Sequence, residues 1–232
     1  MKRLFSLICL LMLSLSVLAY SQDKTEQTNI DINAEVEKYF KKLKGSSIPY
    51  LIDVVIKGAK PVKVAAIRSL GNLKAQKAKD LLVAVMCYVW NPDLYEKNFS
   101  KGYENVIPAF DHDVRASAAI ALADIRDDQT LDLVGNTLLA DRNPKVRKYA
   151  ALALGKFKKR DGIQYLEKAI SYELTLDKFK ISDEVILACV QALGMIGNKD
   201  GFFALIEVTQ SKKLQYSTKK EALNSLEKIK WE

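Results

Sequence analysis

A chain of 232 residues with 49% apolar and 28% charged side chains is too hydrophobic for a disordered protein and charged enough for a folded domain in water. Its length suits one sizeable domain or an elongated repeat array, and only ten glycines and five prolines interrupt it, which leaves room for long helices. The formal charge of +8 favours acidic partners or anionic surfaces, but it is spread along the chain and bears on association rather than fold.

The chain begins with a targeting pattern. Lys2 and Arg3 precede an apolar run, Leu4 to Ala19, broken only by serines, and small residues follow at Ala19 and Ser21. That is the arrangement of a secretory signal peptide over residues 1–21, and it is shorter than the roughly 20 apolar residues that span a bilayer. No transmembrane span is expected after cleavage, and the destination is periplasmic or secreted, in a bacterial envelope. A polar linker over 22–32 leads into the folded region, expected over 33–232. Cys9 sits mid-run, so the mature chain keeps Cys87 and Cys189. Export permits a disulfide, but the repeat pattern places these two several units apart, as separate packing residues.

Segments 33–44 and 48–57 have the character of a degenerate first helix pair. From Val62 onward one pattern recurs, with apolar or small residues at i, i+4, i+7, i+8 and i+11. The copies are Val62, Ala66, Ser69, Leu70, Leu73; Val114, Ala118, Ala121, Leu122, Ile125; and Val146, Ala150, Ala153, Leu154, Phe157. They continue with Val185, Cys189, Ala192, Leu193, Ile196, and more loosely with Thr218, Ala222, Ser225, Leu226, Ile229. Such spacing places all five positions on one stripe of an α-helix. The i+4 and i+7 residues are small in every copy, so the stripe suits a helix packed closely between neighbours. Each stripe leads through a polar turn to a second apolar helical run, such as Leu131, Val134 and Leu138. Asn143-Pro144 reads as a cap followed by proline at the first helical position, and Asp161 and Asp200 are expected to cap the runs after them. Gly71 and Gly155 are expected to ease close packing or the helix end. No alternating strand pattern is found. The prediction is an all-α superhelix, an α-solenoid of about five antiparallel helix pairs.

The string Val-Arg-x-x-Ala-x-x-Ala-Leu-Gly, most complete from Val146 to Gly155, resembles the HEAT-like repeats of the phycobilisome-lyase type over roughly residues 57–231. In such repeats an arginine one position past the first core valine often ties adjacent units together. The resemblance implies that role for Arg115 and Arg147; Lys63 and Lys219 approximate it, and Ile186 departs from it. It is specific for fold and nearly silent on function.

Two interruptions break the period. Val114 and Val146 are 32 residues apart, whereas Val62 to Val114 is 52 and Val146 to Val185 is 39. The excess falls at about 91–111 and 171–182. The first insertion and its approach carry Trp90, Tyr95, Phe99 and Tyr103, candidate partner-binding residues because solenoid insertions often lie on the binding face and aromatics are enriched at interfaces. The competing reading, in which they fold back onto the core, is the commoner fate of aromatics. The segment 141–161 holds eight basic residues against Asp141 and Asp161. Arg142, Lys145, Lys148, Lys158, Lys159 and Arg160 are therefore candidates for an acidic partner, set against a solvated helix face that complements a helix C-terminus.

Catalytic machinery is not expected. His112 is the only histidine, too few for a paired His-Glu di-iron site, and with two separated cysteines it does not make a zinc site. No phosphate-binding glycine loop or nucleophile elbow occurs. No catalytic residue, metal ligand or cofactor is predicted. The function expected is a non-enzymatic scaffold for a protein partner; the basic run favours an acidic one, and no nucleic acid is expected. Two alternatives stay open: a chromophore-handling, lyase-like enzyme sharing the repeat, and a basic solenoid for polyanions or nucleic acid.

Overall fold

The computed structural model describes residues 38, 40, 42–99 and 110–231. The expected signal peptide and linker, most of the segment 33–44 and Tyr103 lie outside the described residues. Those described form eleven α-helices: α1 (Ile48–Lys57), α2 (Lys60–Asn72), α3 (Lys79–Cys87), α4 (Asp93–Phe99), α5 (His112–Ile125), α6 (Leu131–Ala140), α7 (Pro144–Phe157), α8 (Ile163–Thr175), α9 (Asp183–Ile196), α10 (Phe202–Gln210) and α11 (Tyr216–Leu226). The five recurring stripes lie on α2, α5, α7, α9 and α11, the first helices of the units, with the last position of each just at or past the helix end. Short 3-10 turns at Gln76–Ala78, Asp128–Thr130, Arg160–Gly162 and Lys199–Gly201 lead into the second helices α3, α6, α8 and α10. The architecture is an all-α solenoid.

The first helices stack directly on one another in the order α2, α5, α7, α9, α11. Each also packs closely on the second helix of the unit before it: α2 on α1, α5 on α3, α7 on α6, α9 on α8 and α11 on α10. A first helix is thus enclosed on several sides, which explains the stripe. Ala66, Ala118, Ala150, Cys189 and Ala222, all at i+4, have no exposed surface, and the i+8 leucines Leu70, Leu122 and Leu154 are equally enclosed. Burying each such leucine contributes roughly 2 kcal/mol relative to leaving it in water.

Glycine marks the tightest approach. A Cβ on Gly71 would stand 2.8 Å from the Ala121 Cα, one on Gly155 2.7 Å from the Ala192 Cα, and one on Gly194 3.0 Å from the Ser225 Cβ. In each case the i+9 glycine of one unit meets the i+7 residue of the next. The small i+7 residue and the glycine are therefore two halves of one contact. Where the second copy carries Ala123 instead, that residue is also buried.

Helix ends recur in the same register. The residues twelve past the first stripe position in the first four copies, Lys74, Arg126, Lys158 and Gly197, all have left-handed backbone, with φ of 49°, 61°, 55° and 65°. Asn143 accepts from the Lys145 N–H at 2.9 Å, with Pro144 opening α7. Asp161 and Asp200, by contrast, do not cap. They lie inside the 3-10 turns, and α8 and α10 begin after Gly162 and Gly201 without a side-chain cap. The turn itself is capped one step earlier, by Asn198 accepting from the Asp200 N–H at 2.9 Å. The second interruption is also shorter than its spacing indicates, because α8 continues to Thr175 and absorbs part of it.

Candidate functional site

Arg115 and Arg147 occupy matching positions near the starts of α5 and α7. Arg115 donates twice to Asp141, from Nε to Oδ2 at 2.9 Å and from Nη2 to Oδ1 at 3.1 Å, and once from Nη1 to the Phe110 carbonyl at 2.8 Å. The arginine side chain is 8% exposed and the aspartate not at all. Two parallel N–H···O bonds to a carboxylate are the strongest form of such a pair. Asp141 also accepts from the Asn143 N–H at 2.8 Å. Arg147 then donates to the Asp141 carbonyl at 3.2 Å and to Glu173 Oε1 at 2.7 Å, while Glu173 Oε2 accepts from the Ser182 N–H at 2.8 Å. Each acid lies 26 residues after its arginine, at the end of the second helix. The result is a continuous polar ladder linking α5, α6, α7, α8 and the segment that enters α9.

The other copies replace the ladder. Lys63 is buried; its ammonium donates to the Ile56 carbonyl at 2.9 Å and stands 4.8 Å from the centre of the Phe110 ring. Burial pushes its pKa down. Ile186 is fully buried and closes the seam with apolar contact. In the last unit Asp183 takes over, accepting from the Thr218 hydroxyl at 2.6 Å and the Gln215 N–H at 3.2 Å.

The insertion aromatics sit against the array. Tyr95 is buried, edge-on to Tyr88 at 5.8 Å and to Phe110 at 4.9 Å, with Phe99 6.0 Å away. Trp90 is partly buried and donates from Nε1 to the Thr137 hydroxyl at 3.3 Å. Phe110 is held between Lys63 of one unit and Arg115 of the next. These groups seal the seam between the first two stripe-bearing units.

The basic segment is largely spent on ion pairs. Lys145 meets Asp113 at 2.5 Å, Arg147 meets Glu173 at 2.7 Å, Lys148 meets Glu184 at 2.9 Å and Lys159 meets Asp128 at 2.6 Å. Lys156 pairs with Asp124, and Arg160 with Asp200. All of these partners except Glu173 come from other units, so a run that is dense in cations along the sequence is interleaved with acids in space. Arg142 and Lys158 are exposed and stand apart from these pairs. At the helix starts, Lys60 bridges Asp111 and Asp113, both at 2.6 Å. Hydrogen bonding from Lys145 and Lys60 pulls the Asp113 carboxyl down to about 2, and the Lys60 ammonium is pushed up by the same contacts.

Exposed aromatic and apolar groups occur on both layers of helices, and the repeat period singles out none of them. Phe203, 78% exposed, Tyr172, 60%, and Leu139, 41%, lie on second helices, whereas Tyr216, 80%, and Leu223, 54%, lie on α11, Met195, 44%, on α9 and Phe179, 99%, between α8 and α9. Periodicity assigned Leu138 to the core but gave no reason to single out its neighbour. His112, beside Asp113 at the start of α5, is 3.6 Å from that carboxylate. Cys87 and Cys189 are free and buried; burial pushes the Cys87 thiol up to about 12 and Cys189 higher still, which suits packing rather than nucleophilic chemistry. Among the described residues no cluster of three His, Cys, Asp or Glu is placed to hold a metal ion, and no helix is long and apolar enough to cross a membrane.

Comparison with known families matches residues 104–174 to a model described as HEAT repeats. That segment, with the helical array around it, is similar to HEAT repeats and supports a HEAT-like repeat architecture. Comparison with curated proteins gives no match.

Proposed function

We propose that this HEAT-like repeat protein is an exported, non-enzymatic scaffold that holds a protein partner in the cell envelope. HEAT repeats suggest a scaffold for protein interaction, and the observation that carries the reading is the division of labour between helices. The first helices α2, α5 and α7 leave no large apolar residue exposed, and the Arg115–Asp141 and Arg147–Glu173 ladder ties α5 to α8; α6, α8 and α10 keep outward residues such as Leu139, Tyr172 and Phe203 exposed, and only towards the end of the array do first helices expose Met195, Tyr216 and Leu223. A rigid array with a free face gives up little conformational freedom on binding. The partner engages that face. Export rests on the positive start and apolar run of residues 2–19, and the string from Val146 to Gly155 favours kinship with the phycobilisome-lyase type of repeat.

Two measurements test this. Fractionation followed by N-terminal sequencing is expected to find the chain in the envelope beginning at Tyr20 or Gln22; an intact leader in the cytosol overturns the localisation. Affinity capture from envelope extract is expected to retain a protein saturably, and its loss on Phe203→Ser or Tyr172→Ser places contact on the second-helix face. Capture that ignores both substitutions contradicts that placement.

A further inference from the structure

A groove of about 570 Å³ lies between α6 and α8, at their C-terminal ends. That is within the roughly 300–1,000 Å³ of small-ligand and side-chain pockets. Its walls include Leu139 and Ala140 from α6, Ala169 and Tyr172 from α8, and its charged lining includes Arg142 and Lys168. The Arg147–Glu173 pair lies within it, so those two charges answer one another. Asp141, which also borders the groove, is matched by Arg115 from behind. Arg142 and Lys168 are both exposed and neither stands in an ion pair. Two cations that take no part in holding the units together therefore meet, in this groove, an exposed tyrosine ring and an exposed leucine.

A second groove of about 560 Å³ between the starts of α7 and α9 makes the contrast clear. Its cations, Lys145 and Lys148, are already paired with Asp113 and Glu184, so it has no unpaired cation to offer an acidic ligand.

We propose that the α6–α8 groove binds an acidic linear segment of a partner protein, with a carboxylate between Arg142 and Lys168 and an adjacent aliphatic or aromatic residue against Leu139 and Tyr172. The proposal rests on the scaffold reading and names the partner's chemistry. Arginine accepts a carboxylate through two parallel N–H bonds, and Tyr172 supplies a large contact area at small entropic cost. The apolar contact adds a requirement that charge alone does not impose. A polyanion satisfies the cations and leaves the leucine and tyrosine unused.

The test is selection of a random 12-residue displayed peptide library on the immobilised full chain, followed by anisotropy with labelled copies of the enriched peptides. The expected consensus pairs Asp or Glu with a large apolar residue. Arg142→Glu with Lys168→Glu is expected to weaken those peptides at least ten-fold, and Tyr172→Ser several-fold, with helical content unchanged by circular dichroism because all three side chains are exposed. Heparin is expected to compete poorly. Enrichment without acidic residues, equal binding by the double charge variant, or displacement by heparin as effective as by peptide overturns the proposal. A partner captured from envelope extract that the double charge variant still holds at full affinity removes the groove assignment while leaving the scaffold reading intact. An extract from which no protein is retained, together with normal peptide selection, does the reverse.

Discussion

Gly155 and Lys158 stand three residues apart and carry opposite lessons about what a single residue can change. At Gly155 the neighbouring unit comes so close that an added Cβ meets the Ala192 Cα at 2.7 Å, and a backbone atom cannot swing aside. Alanine gains about 1 kcal/mol of helix propensity, but overpacking costs about 1–3 kcal/mol. Gly155→Ala is therefore expected to lose up to about 2 kcal/mol in chemical denaturation; a gain would show that the units separate at no cost. At Lys158 a lysine is held at φ 55°, a backbone that disfavours side chains by roughly 1 kcal/mol. Lys158→Gly is expected to raise stability by about 0.5 kcal/mol, since glycine's greater unfolded entropy takes back part of the relief. Gly197→Ala, at the equivalent position with φ 65°, is expected to lower it. Thermal melts of the three variants decide the signs.

Between elements, the buried arginine–acid ladder carries the strongest expectation. Arg115→Met leaves the fully buried Asp141 side chain with no counter-charge and only the Asn143 N–H as donor, a loss of about 3–5 kcal/mol. Pairing it with Asp141→Leu removes the stranded charge and is expected to recover most of that loss, which a double-mutant cycle measures. The ties at the helix starts respond to acid. Asp113 has a folded pKa of about 2 against an ordinary 3.8, so its ionised form stabilises the fold above pH 4 and that contribution disappears as the pH falls towards 2. Asp113→Asn is expected to flatten the acid limb of the stability profile between pH 4 and 2 while leaving the slope above pH 5 unchanged. An acid limb as steep as in the parent would place the sensitivity in other carboxylates.

For the whole molecule, periodicity made the architecture readable while leaving the interaction surface hidden. The stripes from Val62 to Ile229 repeat because every unit faces the same geometric demand, so the solenoid, the Asn143–Pro144 helix start and the packing role of Gly155 follow from spacing alone. The positions of Asp161 and Asp200 did not, because a 3-10 turn precedes the second helices and moves the cap one step back, to Asn198. The surface was harder still. The basic run of 142–160 reads as a patch only in one dimension; its partners Asp113, Asp124, Asp128, Glu184 and Asp200 come from other units. Likewise Tyr95 and Trp90 lie in an insertion, and only the fold reveals that one is buried and the other is hydrogen-bonded to Thr137. Leu139, Tyr172 and Phe203 on the second helices are exposed and carry no periodic mark.

Site-specific photo-crosslinking in intact cells addresses the scaffold claim most directly. A photoreactive amino acid replaces Tyr172 on the second-helix face or Met195, 44% exposed on the first-helix layer. The expected result is a discrete adduct with another envelope protein from position 172 and little or none from 195. Adducts of equal yield from both positions, or none from either, would contradict a scaffold that works through its second helices.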